Sequence, residues 1–197
     1  MPRQLCATCG DGETPTCAKA IGSTSHFNKG LCDVAFVFSA PGTLEDEAPV
    51  SGHTGESLDF ALERLHRERP RQFPHRSRYG YRITNSVEER MSGALGSGRT
   101  EPKKHDVLLP SNVIRVKRDL EGMKLVILCG LRPGWLAEKL CPEFTVITWS
   151  HTGDRALWRK FGDVVQDDRR MIVARPLMAD AWAEGLLAEM DRLSISL

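Results

Sequence analysis

Asp33-Val34-Ala35-Phe36-Val37-Phe38-Ser39-Ala40-Pro41-Gly42 is the stretch from which the fold follows. Its apolar part is near-continuous, the pattern of a strand buried on both faces rather than on one. Ala40-Pro41-Gly42 ends it in a tight turn. Leu125-Val126-Ile127-Leu128-Cys129-Gly130 repeats the pattern. Shorter strands are expected at Tyr81–Asn85, Phe144–Trp149 and Met171–Ala174. Helical spacing fills the gaps: Glu56 to Arg67, with Leu58, Ala61, Leu62 and Leu65 on one face; Ser111 to Leu120; Pro133 to Leu140; Arg155 to Phe161; and Ala179 to Leu193. Strands alternating with helices imply an α/β fold, a three-layer αβα sandwich around a mainly parallel sheet of four to five strands. In such sheets ligands bind beyond the carboxyl ends of the strands. The residues to watch are therefore Ser39 to Asp46, Asn85, Gly130 to Arg132 and Ser150 to Gly153.

The rest of the composition narrows the class. The 197 residues are 41% apolar and 27% charged, enough apolar material for a packed core and too much for a disordered chain. No apolar run approaches the roughly 18 residues of a membrane span, and Met1 to Cys6 carries no apolar leader core. A cytoplasmic monomer with no membrane partner is expected. Residues 1–32 are loop-rich and read as a separate Cys-containing segment before a domain at 33–197. Cys6, Cys9, Cys17 and Cys32 stand there, and thiolates so spaced suit a structural zinc, with reduced loop thiols as the alternative.

Charge is uneven although it sums to +1. Seven arginines (64, 67, 69, 71, 76, 78 and 82) lie between Arg64 and Arg82, interleaved with Phe73, Tyr79 and Tyr81. Arginines and aromatics on a loop suit phosphate contacts and base stacking; a solvated surface is the plain alternative. No Gly-x-Gly-x-x-Gly or phosphate-loop lysine motif comes after any strand, which argues against a dinucleotide- or nucleotide-triphosphate-binding protein.

Four segments in order carry a resemblance. They are Phe38-Ser39-Ala40-Pro41-Gly42-Thr43-Leu44-Glu45-Asp46, Pro49-Val50-Ser51-Gly52-His53-Thr54-Gly55-Glu56-Ser57-Leu58-Asp59, Ile83-Thr84-Asn85, and Ser150-His151-Thr152-Gly153. Together they resemble the motifs of the uracil-DNA glycosylase superfamily, its family-four and family-five branches above all. The resemblance covers roughly residues 33–160. It implies a uracil-DNA glycosylase-like fold, DNA as partner, and an enzyme that flips a nucleotide out of the duplex and hydrolyses its N-glycosidic bond. It also implies roles. Ser39, Ala40, Pro41, Gly42 and Val50 would line the base pocket. Asn85 would read the base edge with its donor and acceptor. His151 would stabilise the leaving base. Arg76, Arg78, Arg82, Thr152 and Arg155 would hold phosphates.

Three departures modify that expectation. Phe38-Ser39 stands where the family has Gly-Glu, so the residue that activates water must lie elsewhere; His53 and Asp46 are the candidates. Val50 replaces the aromatic that stacks on the base, which implies a wider pocket and a modified pyrimidine, such as the hydroxymethylated or glucosylated cytosine of phage DNA, removed in antiviral defence. Uracil in base excision repair is the other substrate. Family-four enzymes hold an iron–sulphur cluster with two cysteines beyond the Thr-Asn strand, but Ser86 to Asp119 contains none, which favours zinc over a cluster. Loss of the acid leaves a second reading, a DNA-binding module that does not cleave.

Overall fold

The computed structural model describes residues 24–42, 45–91, 100–165 and 171–195. Strands β1 (Phe27–Asn28), β2 (Val34–Phe38), β3 (Arg82–Asn85), β4 (Leu125–Cys129) and β5 (Thr145–Trp149) form one sheet in the order β1-β3-β2-β4-β5. Four of them, β3, β2, β4 and β5, run parallel, and only β1 is antiparallel. All four parallel strands therefore end at the same edge.

Both central strands are buried along their whole length, as their apolar sequences require. Successive side chains of β2 enter opposite layers. Val34, Phe36 and Phe38 pack with the helices α1 (His53–Glu68), α6 (Asp154–Phe161) and α7 (Met171–Arg192). Ala35 and Val37 pack with α2 (Lys104–Val107), α3 (Pro110–Asp119), α4 (Leu131–Gly134) and α5 (Ala137–Leu140). The result is an α/β molecule with a mixed five-stranded sheet and helices on both faces. No described helix is long and apolar enough to cross a membrane.

Several expectations change. Met171-Ile172-Val173-Ala174 is not a strand but the first turn of α7. Only Ala174 of the four is fully buried, so the segment shows one face to the core, as a helix does. Pro176 lies inside this helix and forgoes one main-chain hydrogen bond. Pro110, not Ser111, opens α3 as its first residue, with Leu109 at the N-cap. The helix expected over Pro133 to Leu140 forms as two short pieces, α4 and α5. Lys104–Val107 forms a short helix, α2, where the sequence reading places none. Finally, β1 lies in the segment read as separate from the domain, and the Asn28 side chain ties it in by donating to the Tyr79 and Tyr81 carbonyls (3.1 and 2.7 Å).

Candidate functional site

The carboxyl edge of the sheet gathers the turn after β2, the end of β3, Gly130 after β4 and the loop after β5. Asn85 is the last residue of β3, opposite Phe38, and is wholly buried. Neither its Nδ2 nor its Oδ1 has a hydrogen-bond partner among the described residues. The Ser39 and Ser150 hydroxyls at the same edge are likewise buried and unpartnered there. A buried polar group left unpaired costs about 1–3 kcal/mol. A carboxamide carrying that cost twice is arranged for something other than stability.

His151 is fixed from three sides. Its Nδ1 accepts the Gly153 N–H at 2.8 Å, so in the neutral ring the proton sits on Nε2, which becomes a donor. Its ring stands edge-on to Phe38, with centroids 5.4 Å apart. Gly130 lies against it with φ 109°, a conformation that favours glycine, and a Cβ there would sit 3.3 Å from the His151 Cβ. Burial holds the imidazole below the ordinary histidine value, with Glu101 opposing the shift, so the neutral form is favoured. Trp182 of α7 supports this loop by donating from Nε1 to the Ser150 carbonyl at 2.7 Å. Sequence periodicity holds no sign of that contact, because it joins residues far apart in the chain.

The turn after β2 brings in an acid, Glu45, to which the sequence reading gives no role. Glu45 has one carboxylate oxygen buried without a partner among the described residues. Burial raises its pKa, while hydrogen bonds from the Gly42 and Val50 backbones and the charges of Arg90 and Arg78 pull it back. Asp46, one residue on, points outward and pairs with Arg90 at 2.7 Å; its side chain is 75% exposed. His53 is also outward, 69% exposed, and hydrogen-bonded to Glu56 at 3.0 Å. Adjacent acids cannot be told apart in sequence; the turn decides which one faces in. Of the expected pocket residues, Pro41 is buried, and Ser39, Ala40 and Gly42 are half-buried. Val50 is 2% exposed and packs in the core beneath α1 with φ 48°.

Most arginines of the run have partners within the molecule. Arg64 and Arg67 reach Asp180, and Arg69 reaches Asp191, so these three bind α1 and its following loop to α7. Arg78 pairs with Asp59 and is only 13% exposed. Arg82 opens β3, at the end of the sheet away from the site, and donates to the carbonyls of Lys29, Asp119 and Glu121. Arg76 is exposed and lies 3.7 Å from Glu63. Thr152 is buried, and its hydroxyl donates to the Thr54 carbonyl at 3.0 Å, which docks the β5 loop on the start of α1. Arg155 is exposed in the first turn of α6, beside His151 in sequence. Arg78, Arg82 and Thr152, expected to hold phosphates, each have an internal partner.

The Cys32 thiol donates to the Gly80 carbonyl at 3.5 Å, and burial pushes its pKa up to about 11. Cys6, Cys9 and Cys17 lie outside the described residues, among which no group of His, Cys, Asp or Glu could hold a metal ion. A scan against protein-family models finds no match for this chain, and a search of curated proteins finds no relative.

Proposed function

We propose that the protein is a monofunctional DNA glycosylase that takes a flipped pyrimidine at the Asn85–His151 edge and hydrolyses its N-glycosidic bond. One observation carries the reading: the wholly buried Asn85 carboxamide, unpaired among the described residues. A pyrimidine edge offers an adjacent donor and acceptor, the complement that Nδ2 and Oδ1 lack. The order of the four motifs and the parallel β3-β2-β4-β5 block support the uracil-DNA glycosylase-like architecture.

The chemistry divides among three groups. The bond from C1′ to the base breaks, and the base leaves with the electron pair. Nε2–H of His151 donates to the base oxygen on which that charge collects. Water adds to C1′ and gives up a proton. Glu45 takes the water-positioning role that the sequence offered to His53 or Asp46, and burial, by raising its pKa, makes it the better base. The pyrimidine is uracil or a modified cytosine, and the choice of substrate DNA separates them.

A second reading, DNA binding without cleavage, is favoured by Ser39 standing where the related enzymes carry an acid and by the outward turn of His53 and Asp46. Alkali-cleavable abasic sites distinguish the two. Purified protein is incubated with uracil duplex and with phage DNA containing or lacking modified cytosine, and Asn85→Leu serves as control. Cleavage by the wild type should fall by about a hundredfold or more in the variant. The variant should melt at the same temperature or higher, because an apolar side chain of similar size removes an unpaired polar group. Intact DNA in every arm, with salt-sensitive binding retained, would leave the binding module standing instead.

A further inference from the structure

We propose that Arg115, on the outer helix α3, is the positioning residue that holds the Asn85 carboxamide in its reading orientation. The proposal rests on Asn85 as the recognition group. With no partner of its own among the described residues, the carboxamide owes its direction to its main chain. That main chain lies at an unprotected point of the sheet. β1 covers β3 only as far as Thr84, opposite Phe27, so Asn85 extends one residue past its outer neighbour. On the inner side the next residue, Ser86, donates its N–H to Phe38. The Asn85 carbonyl faces the other way, and a strand would normally bond it.

Arg115 supplies that bond. Its guanidinium is 8% exposed and donates to the Asn85 carbonyl at 2.7 Å. The same group donates to Asp119 Oδ2 (2.7 Å), Thr84 Oγ1 (3.3 Å) and twice to Asn112 Oδ1 (3.0 and 3.2 Å). Thr84 in turn donates to Asp119 at 3.0 Å. Asn112 uses its own Nδ2 on the Ser86 and Val107 carbonyls (2.7 and 2.8 Å). Arginine is required here because its planar fork reaches all these acceptors at once, whereas a lysine ammonium is a single point with three donors. So rigid a clamp on one carbonyl, beside a side chain unpaired among the described residues, has the form of preorganisation around a recognition group.

The test uses the full chain, labelled with 15N. The Asn85 Nδ2–H pair is assigned by its disappearance in Asn85→Leu. Arg115→Lys and Asn112→Ala are then compared with wild type. If Arg115 positions the amide, both variants broaden or split this pair while the amides of β2 and β4 stay in place. Single-turnover cleavage should then fall about tenfold to a hundredfold, with DNA affinity unchanged within about twofold. An unaltered Asn85 pair in a folded variant overturns the proposal, as does a rate loss fully matched by lost DNA affinity. If Arg115→Lys fails to fold, Asn112→Ala alone decides. A wild type that makes no abasic sites ends the glycosylase reading, whereas the Nδ2 signal reports on Arg115 independently of it.

Discussion

A histidine whose Nδ1 is occupied by a backbone N–H has committed its proton before any ligand arrives. In His151 that commitment and burial act together, and both favour the neutral ring. With its folded pKa held below the ordinary 6.5, the residue is neutral in both states above that value. As the pH falls below 6.5, the unfolded chain binds a proton that the folded chain refuses, and stability is lost until the lowered folded pKa is passed. Melting temperatures of wild type and His151→Gln, tracked from about pH 7 to about pH 5, should therefore diverge, the wild type falling faster. The acid limb of the pH–rate profile should also lie below 6.5; a limb above that value would remove His151 as the neutral donor.

Elements carry the next level of constraint, and the start of α1 is the most tightly built. Gly55 sits beneath the Val50 carbonyl, and a Cβ there would fall 1.8 Å from that oxygen. The obstacle is backbone, held in place by a valine at φ 48°, and cannot step aside. Gly55→Ala should cost about 3 kcal/mol or more, read as a lower urea midpoint, whereas Gly52→Ala, with open space around it, should change little. Elements were also where the sequence was most legible. Val34 to Phe38 and Leu125 to Cys129 are apolar throughout because both faces of each strand are covered, and few other structures require that. Met171 to Ala174 misled because β-branched residues favour strands locally, while packing along α7 decided otherwise. At the site, Asn85 and His151 could be found by looking just past the carboxyl end of each strand. Glu45 and Arg115 could not, because a charged residue in sequence reads as solvated until its tertiary partners are known.

Across the whole molecule, charge is organised differently from its order along the chain. Most of the arginine run holds α1 and α7 together or caps carbonyls within the fold. Exposed cations also stand outside the run: Lys103 and Lys104 at the start of α2, and Arg155 in the first turn of α6, shortly after His151 in sequence. Charge reversal of Lys103, Lys104 and Arg155 should weaken DNA binding and flatten its salt dependence by about one logarithmic unit per lost phosphate contact. Neutralising Arg67 and Arg71 should leave that slope unchanged; the opposite result would return DNA contact to the arginine run. The two-residue strand β1 has a consequence for any shortened form of this protein. Trimming to Thr24 keeps Phe27 and Asn28 on the flank of β3, with the Asn28 bonds to Tyr79 and Tyr81 intact. Trimming to Asp33, where composition alone would cut, strips that flank and bares a row of main-chain donors and acceptors to the solvent. Such a form would pair with its own kind, and it would aggregate at concentrations at which the longer one stays clear.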